Sequence, residues 1–210
     1  MSRSNKLPFA QGATALGSTA FSTDNLTSLN HLEGQTAYLP DIDSTGDKKS
    51  RRSGADVVVL IVRNVEPNVS GVATLAAGDA LKWVTGYHGK RVEKADNGAL
   101  HQIAGFVDEH SSGVKTNDLF YMVIKGPSLV TCLTGGAHSI SFDVDGTGAA
   151  NAYVEGFVVV LSATSGKVES VSDANADGVS TGLPFNIAGR IKTNQFVAAA
   201  TKLLIDVDIR

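Results

Sequence analysis

Cysteine is almost absent: Cys132 is the only one in 210 residues. A single thiol excludes an intrachain disulfide and a Cys-based zinc site, and its apolar setting, Val130-Thr131-Cys132-Leu133, reads as a small buried hydrophobe. Charge is sparse as well. Asp, Glu, Lys and Arg make up 19% of the chain, against about 25% in ordinary soluble domains. A net charge of −3 and a pI near 5.9 supply no positive field for a polyanion, which argues against a general nucleic-acid binder. Aromatics stop at 6%, and long Leu/Glu/Lys helical stretches are missing. Coiled coil, helix bundle and charge-driven disorder therefore drop out. Apolar runs such as 57–62 are far shorter than the roughly twenty residues of a membrane helix. The first residues, Met1-Ser2-Arg3-Ser4-Asn5-Lys6, lead into Ser, Thr and Gly, so a secretory signal is not expected.

What remains is strand text and turns. Glycine is abundant, at 22 residues. Val57-Val58-Val59-Leu60-Ile61-Val62 is β-branched and apolar throughout, as in a strand buried on both faces. Strand-like segments follow at 72–75, 80–84, 103–107, 119–124, 128–133, 140–144, 153–161 and 167–171. Turn signals separate them, among them Gly78-Asp79, Thr85-Gly86, Asp96-Asn97-Gly98, Lys125-Gly126-Pro127 and Ser165-Gly166. In Leu204-Ile205-Asp206-Val207-Asp208-Ile209-Arg210, Ile205, Val207 and Ile209 share one face, while Asp206, Asp208 and Arg210 share the other. This predicts an all-β fold, a small β-barrel or β-sandwich over residues 56–210, with a subdivision near 134.

Residues 1–55 differ. Leu7, Phe9, Leu16, Phe21, Leu26, Leu29 and Leu32 recur among Ser, Thr and Gly without a sustained period. The segment reads either as an extended N-terminal arm that lies on another surface or as a tail. Short helical turns are expected near 24–32, where Asp24 caps, and near 195–202. Lys48-Lys49-Ser50-Arg51-Arg52 is the one dense positive cluster, either a docking patch for an acidic surface or a solvated linker.

Two motifs carry chemistry on paper. Phe142-Asp143-Val144-Asp145-Gly146-Thr147 resembles the Asp-x-Asp-Gly-Thr signature of haloacid-dehalogenase phosphatases, which would make Asp143 a nucleophile and Asp145 an acid/base beside Mg²⁺. The surrounding text is β-strand, however, and a turn explains Asp-Gly-Thr-Gly equally well. Asp173-Ala174-Asn175-Ala176-Asp177-Gly178 copies the first six positions of a calcium loop, but Pro184 stands where the bidentate Glu belongs. A solvated loop and a weak calcium site both fit. His31, His88, His101, His110 and His138 are scattered, with no metal-ligand spacing.

The order of the strand segments is the remaining signal. Val72-Ala73-Thr74-Leu75-Ala76-Ala77-Gly78-Asp79-Ala80-Leu81-Lys82-Trp83-Val84 comes first, then Arg91-Val92-Glu93-Lys94-Ala95, then Ile103-Ala104-Gly105-Phe106-Val107. Gly113-Val114-Lys115-Thr116-Asn117-Asp118-Leu119-Phe120-Tyr121-Met122-Val123-Ile124-Lys125-Gly126 follows. Ile187-Ala188-Gly189-Arg190, an Ala-rich stretch and Leu203 to Arg210 close the chain. This order resembles tailed-bacteriophage head decoration (capsid cement) proteins over about 55–130 and 187–210. Asn117-Asp118 stands where Gly-Asp is commoner, and the arm and 134–186 have no counterpart.

The resemblance implies a structural virion protein, not an enzyme, made in the host cytoplasm and bound to the outer surface of a capsid. Its partners would be the major capsid protein and further copies of itself, a trimer being favoured, with no cofactor, nucleic acid or membrane. Leu7, Pro8 and Phe9 would anchor the arm, and Lys48, Lys49, Arg51 and Arg52 would clamp it. The alternatives are another β-rich virion component, such as a tail tube or head fibre, and the Mg²⁺-dependent phosphatase.

Overall fold

The computed structural model describes residues 32–39, 56–67, 74–95, 103–109, 111, 113–132, 152–153, 158–161, 165–170, 187–192, 195–196 and 202–209. Among these residues the chain is all-β, with no α-helix. Twelve strands occur in order: β1 (Thr36–Leu39), β2 (Val57–Asn64), β3 (Ala80–Trp83), β4 (Arg91–Lys94), β5 (Ile103–Val107), β6 (Leu119–Thr131), β7 (Ala152–Tyr153), β8 (Val158–Leu161), β9 (Val168–Ser170), β10 (Ile187–Ile191), β11 (Gln195–Phe196) and β12 (Lys202–Asp208).

Five of them close into a barrel in the order β2-β4-β3-β5-β6, with β6 returning to β2. Only β2 and β4 run parallel in that ring, joined through Arg63 with Arg91 and Asn64 with Val92. Closure leaves no open edge within the ring. Val62, Leu81, Val92, Ala104, Val107, Phe120 and Met122 fill the interior, joined by Leu75 and Val114. A small barrel is a packed core, not a channel.

A second set of strands, β12-β10-β8-β9, continues the sheet from β6. Its buried faces, with Ile205, Leu203, Val207, Ala188, Ile191, Val159 and Val168, form one cluster with Val57, Val59 and Ile61 of β2 and with Phe106, Tyr121 and Val123. The 57–62 run is apolar throughout for this reason: Val62 faces the barrel interior, while Val57, Val59 and Ile61 face the outer cluster. Along β12, Asp206 and Asp208 are exposed and Ile205 and Val207 are buried, the alternation read from the sequence. Cys132 is buried as expected, and it meets Val168 in a parallel bridge.

β6 belongs to both sets. Residues 119–125 pair with β2, and residues 125–131 pair with β12. The turn expected at Lys125-Gly126-Pro127 is absent, and a single strand of 13 residues runs through it. Gly126 has φ 101, and a Cβ there would lie 2.7 Å from the Asp56 carbonyl oxygen. The residues that look like a turn in the sequence are an unusual backbone step inside a strand. The helical turn expected near 195–202 also fails at its ends: Gln195 and Phe196 form β11, paired to β7, and Lys202 begins β12. Residues 24–31 of the expected 24–32 turn, the strand near 140–144 and residues 197–201 lie outside the described residues.

Two turns set the barrel strands. In residues 76–79, Asp79 N donates to Ala76 O at 3.0 Å and Ala76 N to Asp79 Oδ2 at 3.0 Å. In residues 115–118, Asp118 N donates to Lys115 O at 3.2 Å and Lys115 N to Asp118 Oδ2 at 3.0 Å. Leu75 and Val114, which precede the turns, form an antiparallel bridge. Fully buried Asn64 ties both approaches to β2, because its Nδ2 donates to Thr74 Oγ1 at 2.8 Å and to Lys115 O at 2.9 Å.

Candidate interaction surface

The most site-like group among the described residues is the tip of the β3–β4 hairpin. Two consecutive backbone turns build it: Tyr87 N donates to Val84 O at 2.9 Å, and Lys90 N to Tyr87 O at 3.0 Å. Val84 N donates to Arg91 O at 3.1 Å and closes the base. The tip thus holds its side chains on a bonded backbone.

Aromatic and cationic groups crowd there. Trp83, the only tryptophan of the chain, stacks on His88 with ring centroids 6.2 Å apart and 21° between planes. The Arg91 guanidinium carbon lies 4.3 Å from the centroid of the Tyr87 ring, a cation–π distance. Tyr87 is 46% exposed, and His88 and Lys90 are exposed beside it.

Behind the tip stands a buried acid. Glu33, in the turn before β1, forms an ion pair with Arg63 Nε, and its other oxygen lies 3.6 Å from Arg91 Nε. Arg63 Nη1 also donates to Asn117 O at 2.7 Å. Gly34 N donates to Ile61 O at 2.8 Å, and Leu32, Ala37 and Leu39 join the outer core. Residues 32–39 of the segment expected as an arm are thus fastened to the barrel beside the hairpin. β1 pairs along β2, Thr36 with Leu60 through Leu39 with Val57, and leaves Tyr38 56% exposed.

A second polar group sits where the barrel meets the outer strands. Asp79 Oδ2 lies 3.0 Å from Lys94 Nζ, and Thr131 Oγ1 reaches Asp79 Oδ1 at 3.4 Å. Lys202 Nζ donates to Ala77 O and to Thr131 Oγ1 at 2.8 Å. Burial pushes the Lys202 ammonium below its ordinary pKa, against the opposing pull of Asp79. Two of its three donors go to protein oxygens, so this group reads as a joint. Burial likewise raises Asp118, against the Lys115 backbone bond and the Lys115 and Arg63 charges.

No group of three or more His, Cys, Asp or Glu suited to a metal occurs among the described residues, and none of their helices is long and apolar enough to cross a membrane. Leu7, Pro8, Phe9, Lys48, Lys49, Arg51 and Arg52 lie outside the described residues, as do Asp143, Asp145, the 173–178 loop, His31, His101, His110 and His138. Of the five histidines only His88 is placed, and it packs on a ring.

No protein-family model matches the chain, and no curated protein matches it. Among solved structures, a chain from the capsid of Myoviridae phage XM1 aligns over 74% of this chain and 86% of its own length, at 16% identity and a TM-score of 0.42.

Sequence reasoning passed over the hairpin tip because Thr85-Gly86 registers simply as a turn. The available signal was composition. Surface turns are dominated by Gly, Pro, Asn, Asp and Ser, whereas this one carries Tyr87 and His88 between its glycines and is flanked by Trp83 and Arg91.

Proposed function

We propose that the chain is a structural virion protein that decorates the outer surface of a phage capsid, acting by binding and not by chemistry. The observation that carries this reading is the order of the resembling segments, which fold as successive members of one closed barrel. Residues 80–83, 91–94, 103–107 and 119–125 supply four of its five strands, and 187–191 and 202–208 form β10 and β12 beside it. The barrel has no gap in its ring, and the buried Asn64 and Asp79 are spent on holding turns and strands together. Such a body suits a part that must stay rigid while its surface binds.

In this reading the chain bridges neighbouring major capsid subunits, as an oligomer with the trimer favoured. Leu7, Pro8 and Phe9 anchor the N-terminal arm, and Lys48, Lys49, Arg51 and Arg52 act as its polar clamp. Extended segments bind by adding strands or filling grooves, and copies spaced by a shell gain avidity from modest single contacts.

Cosedimentation with purified heads that lack the protein tests the proposal. Saturation at a fixed copy number per hexamer supports it, and a failure to saturate or to bind defeats it. Deleting residues 1–12 is expected to weaken head binding and to lower the head's thermal stability; unchanged values would remove the arm from the account.

A further inference from the structure

The hairpin tip holds a half-exposed arginine. Arg91 makes two contacts among the described residues: the 3.6 Å ion pair with Glu33 and the 4.3 Å approach to the Tyr87 ring. Its Nε is buried without a hydrogen bond, while its side chain as a whole is 37% exposed. A guanidinium offers five donors in a flat fork that matches a carboxylate with two parallel bonds. Here the ring on one side and Glu33 behind already fix that fork, so little freedom is lost when a ligand arrives.

Among the described residues a further cation lies beside Arg91. Lys90 is exposed next to Arg91, and among the described residues the carboxylate paired with Arg91, that of Glu33, is only 7% exposed and is shared by two arginines. Glu93, on the strand behind, is turned to Lys82 at 3.3 Å. Trp, Tyr and Arg are also the residues that dominate binding energy at protein interfaces, and a stacked ring reaches that role with few rotamers to freeze.

We propose that the β3–β4 tip docks a protein surface that presents a carboxylate beside an apolar patch, the Arg91 fork taking the carboxylate and the Tyr87 ring taking the apolar contact. A nucleic-acid ligand fits less well. The chain carries a net charge of −3, and a few cations at one tip do not make the extended basic track that a phosphate backbone requires. The inference deepens the decoration reading and rests on it for the partner's identity alone: on a virion, the acidic surface belongs to the shell.

The test uses the full chain, with a short Glu-rich peptide carrying Leu and Phe as the probe. The single indole of Trp83 reports from the tip without further labelling. Its N–H signal, and that of Arg91 Nε, are expected to shift saturably with the acidic peptide and not with a Lys-rich counterpart. Arg91→Lys keeps the charge and loses the fork, and should weaken binding about tenfold, the scale of one charge-assisted hydrogen bond. Tyr87→Ala, at an exposed position, should weaken binding with an unchanged melting midpoint. Equal binding by Arg91→Lys, no saturable shift, or a stronger response to an oligothymidylate would each overturn the proposal. Purified heads separate the two readings. Heads that retain Arg91→Lys and Tyr87→Ala as well as the parent chain defeat the tip and spare decoration; peptide binding by a chain that no head retains does the reverse.

Discussion

Gly78 and Asn117 hold the same place in two copies of one turn. Each is the third residue of a four-residue turn closed by an Asp, with φ of 77° at Gly78 and 71° at Asn117. The Leu75–Val114 bridge joins the two turns at their entrances. Asn is among the few side chains that adopt this left-handed backbone readily. The departure from Gly-Asp at Asn117-Asp118 therefore keeps the turn.

The two positions should respond differently to substitution. A Cβ at Gly78 would lie 2.5 Å from the Leu129 carbonyl oxygen, so Gly78→Ala meets both backbone strain and a clash. A loss above about 2 kcal/mol is expected, measured by urea unfolding. Asn117→Gly should change little, and Asn117→Ala should cost about 1 kcal/mol, the penalty of the left-handed backbone alone. Equal losses at Gly78 and Asn117 on conversion to Ala would show that the clash is relieved elsewhere.

The two aspartates that close these turns have different neighbours. Burial raises the pKa of Asp118. A group raised in the folded state gives its full stability below its unfolded value of 3.8, and that contribution is lost as the pH climbs through the folded value. Asp118→Asn, which keeps an oxygen for Lys115 N, should then be neutral or stabilising at pH 7. Asp79→Asn gives up the charge facing Lys94 and should destabilise by about 1 kcal/mol. Thermal melts of the two variants side by side decide it.

Glu33 is a lock between the segment before β1 and the barrel. Glu33→Ala removes one carboxylate from Arg63, whose side chain is 5% exposed. Breaking a buried pair from one side costs about 3–5 kcal/mol, and the Asn117 carbonyl that also receives Arg63 places the cost toward the lower end. Hydrogen exchange should show faster opening at Gly34 N and along β1. A uniform change over the whole chain would assign Glu33 to global stability alone.

Tyr121 sets an alkaline limit. Burial, reinforced by the Asp108 charge, pushes its phenol up to about 12. Since the folded value is the higher one, stability is intact below pH 10 and falls as the pH rises toward 12. The full loss is about 3 kcal/mol, from 1.36 kcal/mol for each pKa unit. Tyr121→Phe should flatten the stability profile in that window. A profile as steep as the parent's would move the effect to another group.

Much of the scaffold was legible in the sequence because burial leaves a compositional mark. The doubly apolar 57–62 run and the alternating 205–209 close have that character, and both sit where the pattern puts them. Lys125-Gly126-Pro127 misled because the signals for a turn and for a glycine step in a strand are the same local residues. The difference is that β12 pairs across them, through Val207 with Gly126 and Asp206 with Pro127, and that pairing is set by a segment about eighty residues away. The hairpin tip was hidden for a related reason. Trp83 and His88 are five residues apart, and Glu33 lies far upstream of Arg91, so spacing alone does not bring their side chains together.

The sharing of β6 has a mechanical consequence. β2 grips residues 119–125 and β12 grips residues 125–131, overlapping at Lys125 alone. Tension passed from β12 to β2 through the strand ladders travels along the β6 backbone. Ladder bonds lie across the strands, so each row resists by sliding as a set and does not peel open bond by bond. A tug between the two halves is therefore resisted along this one strand as well as by the shared core, and Gly126 is the link in the ladder path next to the overlap at Lys125.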